Sequence, residues 1–162
     1  MGGRSRTSTC AAALLLASLL AGCGTGRPAS TSGWQSATDR VIGTALSGLG
    51  TARIVVVQEQ HNRVFHSYAV VAATDAIETT GKEISSYQVA QPPDQLHQAN
   101  KVVGDALDKA TSLLVDIRIA LASPGLTAQS AGHLLDRIDA LRHELNKLDD
   151  AVMKDPGSVA AQ

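Results

Sequence analysis

Histidine is the residue in this chain best suited to bind a metal ion or transfer a proton, and it occurs at His61, His66, His97, His133 and His143. A metal site on helices needs inward-pointing His or carboxylate ligands three or four residues apart. Asp94 and His97 have this spacing but lie beside a diproline. Asp136, Asp139 and His143 share one helix face among leucines that occupy the core, so we expect them to face water. A di-metal bundle also needs Glu-x-x-His pairs, which the sequence lacks. We therefore predict no metal and no cofactor.

A nucleophilic enzyme would need an activated serine or cysteine. The sequence has no Gly-x-Ser-x-Gly and no phosphate-binding loop. Ser47 lies between Leu46 and Gly48 in a predicted helix, where a packing role is the simpler interpretation. We predict no catalytic residue and no enzymatic activity.

Both cysteines, Cys10 and Cys23, lie within the first 23 residues, which excludes a disulfide in the rest of the chain. Arg4 and Arg6 precede an uncharged apolar run over residues 11–21. This run is too short to span a bilayer, which takes about 20 apolar residues. The pattern is typical of a signal peptide.

The signal ends in Leu20-Ala21-Gly22-Cys23, which resembles the lipobox of bacterial lipoproteins. The resemblance implies that the chain is cut before Cys23 and that its thiol carries a diacylglyceryl group. The new amino terminus is often acylated as well, for example with palmitate. Cys23 is thus the predicted lipidation site, and we expect the protein on the outer face of the cytoplasmic membrane. An ordinary cleaved signal or a retained membrane helix are the alternatives.

The charge balance limits the possible partners. The chain has 14 basic and 15 acidic residues, no basic stripe, and only Trp34, Phe65, Tyr68 and Tyr87 as aromatics, which excludes nucleic acid. Removal of residues 1–22 takes away two arginines and no acid, so the net charge falls from -1 to -3. Acyl chains rather than electrostatic attraction must then hold the protein at the membrane. Other expected partners are an envelope protein, cell-wall polymer or a second copy.

The body of the chain falls into four segments of similar length, separated by Pro- and Gly-containing breaks. The segments cover residues 34–60, 64–88, 94–122 and 127–154. Equal lengths joined by short links predict an all-α fold, an up-down four-helix bundle. Asp94 and Thr127 are the predicted N-caps of the third and fourth helices. The predicted divisions are a signal peptide (1–22), lipidated Cys23 with a flexible tether (23–33), the bundle (34–154) and a disordered tail (155–162).

Apolar residues spaced three and four apart predict the core face of each helix. The fourth helix contributes Leu134, Ile138, Leu141, Leu145, Leu148 and Val152. The third contributes Val103, Leu107, Ala110, Leu114, Ile117 and Leu121. The second has a partial seam of Val70, Ala73, Ile77 and Ile84. In the first, a row of small residues (Ala45, Gly48 and Ala52) predicts close approach to the second helix.

Two features of the first helix leave alternatives open. The β-branched run 54–57 and residues 64–71 could instead form a hairpin, but the turn lacks Asn-Gly and a two-stranded hairpin is marginal, so we favour helix. Arg53 lies in register with core residues. Its side chain either extends to solvent over apolar surface or pairs with Asp75 of the second helix or Asp116 of the third.

The body also resembles a group of small secreted helical lipoproteins of high-GC actinobacteria. The resemblance lies in residues 42–49, in Asp75-Ala76-Ile77-Glu78 and in Gln91-Pro92-Pro93, and it carries no catalytic residues. The sequence thus predicts a membrane-anchored, non-enzymatic binding or structural module of the cell envelope. The alternative is a carrier of a small ligand or metal inside the bundle.

Overall fold

The computed structural model describes residues 30–123 and 125–161. The predicted signal peptide and Cys23 lie outside this range. Helices make up 87% of the described residues, and none of these forms a strand, which confirms the all-α prediction and removes the hairpin alternative. The four long helices are α1 (Thr31–Gln60), α2 (His66–Val89), α3 (His97–Ala122) and α4 (Ala128–Lys154).

The helices are arranged as the predicted up-down bundle. Each helix packs against the next along the chain, and α4 returns to pack against α1. Helices α1 and α3 also contact each other across the centre, so α1 touches all three of the others. Short links between long helices favour this antiparallel arrangement.

Side-chain caps begin two of the helices. The N–H of Gly33 donates to Ser30 Oγ (3.0 Å), so α1 begins at Thr31 and residues 31–33 belong to it rather than to the predicted tether. Thr127 caps α4 as predicted, because its Oγ1 accepts from the N–H of Ser130 (3.1 Å). Each bond satisfies a backbone donor that has no partner within the helix.

The cap predicted at Asp94 is wrong. Asp94 opens a 3-10 turn, Asp94–Leu96, whose N-cap is Pro93, and no side chain caps it. Helix α3 begins only at His97. Because the extended backbone of Pro93 leads into this extra turn, the Asp94 side chain lies a full turn before the first free amides of α3.

The carboxyl-terminal residues differ from the predicted disordered tail. Ser158–Ala161 forms a 3-10 helix that packs on α3 and α4. Val159 is buried in the core, and Ser158 Oγ donates to the carbonyl of Asp155 (2.8 Å). Burial of the apolar Val159 side chain stabilises this short helix against the bundle.

The core faces of α3 and α4 follow the predicted seams. All six predicted residues of α3 are buried, and in α4 only Leu148 is partly exposed. Helix α2 differs, because Val70 and Ile77 are only partly buried. Its buried face is made of Ala69, Ala73, Ala76, Thr80, Ile84 and Tyr87.

We expect Leu145→Ala to lower the free energy of unfolding by about 2–5 kcal/mol, because Leu145 is fully buried and its loss leaves a cavity. His143→Ala, at an exposed position of the same helix, should cost less than about 0.5 kcal/mol. Urea denaturation of both variants measures the difference. Equal losses would show that the register of α4 is wrong.

Candidate functional site

Helices α1 and α2 pack closely against each other at Gly48. A Cβ atom at Gly48 would lie 2.6 Å from Thr80 Oγ1 and 3.6 Å from the carbonyl oxygen of Ala76. Thr80 is 1% exposed, and its hydroxyl has no hydrogen-bond partner among the described residues. The row of small residues in α1 therefore allows the close approach that the sequence predicted.

On the outer side of this contact a groove of about 560 Å³ runs between α1 and α2. Its walls carry small side chains, hydroxyls, one carboxylate and the guanidinium of Arg40, which is paired with Glu83. They include Gly43, Ser47, Thr51, Ala72, Asp75, Ala76 and Thr79. Asp75 forms no ion pair with another described residue. A partner could thus approach the backbone of the groove closely and would meet one unpaired carboxylate, that of Asp75.

Towards the α1–α2 loop the groove continues into a second one of about 330 Å³, which shares Thr51 and Ala72 with the first. Its walls include two exposed large apolar side chains, Ile54 (61%) and Tyr68 (60%), and Phe65 (86%) and Val71 (56%) are exposed three residues before and after Tyr68. We call these four residues the apolar patch, and the patch with both grooves the α1–α2 face. Clustered exposed apolar side chains mark interaction sites.

The opposite side of the bundle is highly charged. Helix α4 has nine Asp, Glu, Lys and Arg residues in 27 positions, whereas α1 has four in 30. Ion pairs join α3 and α4 through Lys109–Glu144 (2.7 Å) and Arg137–Asp116 (2.7 Å). The α3–α4 side is a solvated surface, and the α1–α2 face differs from it in chemistry.

Helix α1 is also long and apolar enough to cross a membrane by length and composition. In the bundle it packs against the other three helices, and its apolar residues form much of the core. The low charge of α1 therefore has two consequences. The apolar side of α1 forms the centre of the bundle, and its solvent-facing side is weakly charged.

Arg53 pairs with neither of the predicted partners. Its Nε lies 3.0 Å from Asp139 Oδ1 on α4, while Asp116 is paired with Arg137. Helix α4 packs beside α1 and brings Asp139 within reach of the long arginine side chain. The pair is largely exposed, and such pairs contribute little to stability.

The histidines lie apart on the surface. His61 Nδ1 is 2.7 Å from the carbonyl oxygen of Val57, His66 Nδ1 is 3.1 Å from Glu59 Oε1, and His97 Nε2 is 3.7 Å from Asp94 Oδ1. His133 and His143 are exposed. Asp136, Asp139 and His143 all face solvent, as expected.

No group of three His, Cys, Asp or Glu residues that could hold a metal occurs in the ranges 30–123 and 125–161. Ser47 is exposed on the groove wall within α1. The sequence-based predictions of no metal, no cofactor and no catalytic residue remain predictions.

Sequence reasoning missed a hydrogen-bonded cluster at the end of the bundle where α1 begins. Trp34 Nε1 donates to Asn100 Oδ1 (2.9 Å), and the Tyr87 hydroxyl donates to the same oxygen (2.7 Å). Thr38 Oγ1 lies 3.2 Å from the Tyr87 hydroxyl. Burial raises the pKa of Tyr87, so the phenol stays neutral and donates. The cluster joins α1, α2 and α3 and is structural.

One carboxyl group on α4 lies in an unfavourable setting. Burial raises the pKa of Asp149, and the carboxylates of Asp39 and Asp150 raise it further. Because the folded-state pKa lies above the unfolded value, Asp149 favours folding only at low pH, and this contribution is lost as the pH rises through the folded-state pKa. The ionised Asp149 side chain therefore lowers the stability of the fold locally, and we do not assign it to a binding site.

No protein-family model, curated protein or solved structure matches this chain. The fold defines an up-down four-helix bundle, and the α1–α2 face is its candidate functional site.

The close contact at Gly48 makes two glycines of α1 respond oppositely to substitution. Gly43 has open space around it, so Gly43→Ala should stabilise the helix by about 1 kcal/mol. Gly48→Ala forces Thr80 to move, and overpacking costs about 1–3 kcal/mol, which exceeds the gain in helix propensity. Thermal melts followed by circular dichroism compare the two variants. A higher melting temperature for both would refute the close contact.

Proposed function

We propose that this protein is a lipid-anchored, non-enzymatic module of the cell envelope that binds a protein partner through its α1–α2 face. The observation that carries the binding role is the apolar patch at the end of a weakly charged groove. A surface of this kind gains free energy when a partner covers it. The charged α3–α4 side would lose hydration in the same contact.

The anchor is supported by Leu20-Ala21-Gly22-Cys23 and by the short distance from Cys23 to the bundle. Seven residues separate Cys23 from the start of α1 at Thr31. A tether of that length, as the sequence predicts, would span about 15 Å. The beginning of α1 would then lie near the membrane. Helix α1 has 30 residues and is about 45 Å long, so the apolar patch would lie towards the far end.

The packing of the interior favours the outer face as the binding surface over a ligand site inside the bundle. Buried aliphatic side chains from all four helices form one cluster. The buried polar residues of the described chain are Thr38 and Thr80, one bonded to Tyr87 and the other packed on Gly48. A close-packed apolar interior suits a rigid scaffold.

The anchor predicts a defined mass for the mature protein. We expect wild-type protein to begin at Cys23 and to exceed its polypeptide mass by two or three acyl chains, because the lipobox directs both steps. Cys23→Ala should retain the uncut, unmodified precursor. Intact-mass spectrometry of membrane fractions distinguishes these products. An unmodified mature protein in the medium would refute the anchor.

The binding role predicts that contacts in membranes concentrate on the α1–α2 face. A photoreactive amino acid replacing Thr79, on the groove wall, should crosslink efficiently to a protein in membranes of the native host. The same residue replacing Ser112, exposed on α3, serves as the matched control. Gel shifts after irradiation measure the yield. Equal yields at both positions would contradict a binding role for this face.

A further inference from the structure

We propose that the protein partner of the α1–α2 face is a second copy of this chain, docked antiparallel across a two-fold axis. The inference rests on the proposed function, in which this face binds protein. It adds the identity and the geometry of the occupant. Three observations carry it: matched large and small residues, matched charges, and the presence of both halves of the contact on one surface.

The large and small residues of α2 are spaced so that they fit each other in an antiparallel pair. Around a two-fold axis level with Val70, residues at equal distances on either side face one another. Tyr68 of one copy then meets Ala72 of the other. Phe65, the extended residue just before α2, lies about 8–9 Å from the axis and meets the groove wall at Asp75 and Ala76. The most exposed aromatic side chain thus fills the groove that the small residues leave open.

The charges match in the same arrangement. Arg63 lies two residues before Phe65 and forms no ion pair with another described residue, and the same is true of Asp75. In this arrangement Arg63 lies in the loop before α2, beyond the level of Asp75 of the other copy, and its long side chain extends back to that carboxylate, which gives two equivalent pairs. A parallel arrangement would place Asp75 against Asp75, and the like charges would repel.

A second copy is favoured over an unrelated partner because one surface carries both the protruding side chain and the groove that receives it. This self-complementarity is what a two-fold interface requires. The arrangement also places the anchors. Gly48 lies beside Thr80, so Val70 is level with the end of α1, and the two α1 starts would lie about 80 Å apart. Short tethers at both ends would then hold the dimer lengthwise along one membrane.

Sedimentation of the full mature protein in detergent, with Cys23 in place, tests the dimer. We expect the mass of two polypeptides, and Phe65→Ala should weaken self-association about tenfold or more, as loss of a central aromatic anchor does. Ile119→Ala removes an equally apolar exposed side chain from α3 and should leave the dimer unchanged. Circular dichroism confirms that each variant is folded.

Charge reversal tests the orientation. Asp75→Arg and Arg63→Asp should each weaken the dimer, and the double variant should restore it. A bismaleimide crosslinker should join two chains of Val71→Cys, near the axis, but not of Ser112→Cys. Failure of the double variant to recover would refute the antiparallel pairing.

Other outcomes separate this inference from the proposed function. A chain that sediments as a monomer while the Thr79 probe crosslinks a different protein would overturn the dimer and leave the binding role intact. A monomeric chain whose unlipidated form, beginning at Gly24, binds phosphatidylglycerol vesicles and loses this binding in Phe65→Ala would assign the apolar patch to lipid and overturn the dimer as well.

Discussion

The close approach of α1 and α2 at Gly48 is the constraint on which the rest of the structure depends. Because Gly48 has no side chain, the two helices pack with Thr80 against its Cα, and the facing positions of α2 must be small. Ala69, Ala73 and Ala76 fill those positions. The large apolar residues Tyr68 and Val71 of α2 therefore lie outside this contact and are exposed to solvent, with Tyr68 on the wall of the second groove. The same packing that builds the core thus creates the exposed patch.

The two sides of the bundle have separate roles. Helices α3 and α4 bury long aliphatic seams and cover their outer surface with ion pairs, so they supply hydrophobic stability and solubility. Helix α2 contributes mostly small core residues, and α1 and α2 together keep a weakly charged outer surface. The ends differ as well. The Trp34–Asn100–Tyr87 cluster joins three helices where α1 begins, whereas the α1–α2 loop end carries the exposed Phe65.

The sequence predicted the fold well wherever side-chain size and spacing alone decide burial. The seams of α3 and α4, with residues such as Leu114 and Ile138, needed no other information. The buried face of α2 was harder, because hydrophobicity ranks Val70 and Ile77 above alanine, and only the distance to α1 reverses that order. The α1–α2 face was missed for the same reason, since Phe65 and Tyr68 are ordinary apolar residues until the packing leaves them outside. The ion-pair partner of Arg53 depends on which helix packs beside α1, and the spacing of residues within one helix does not predict that arrangement.

We propose above all that a protein partner covers the α1–α2 face in the membrane. Hydroxyl-radical footprinting on intact membranes tests it directly, because the reaction labels exposed aromatic and sulfur side chains. Phe65 and Tyr68 should be labelled much less in membranes than in dilute, purified protein, while the exposed Met153 at the other end should be labelled equally in both. If Phe65 and Tyr68 react as strongly in membranes as in dilute protein, the face is open and the account is contradicted.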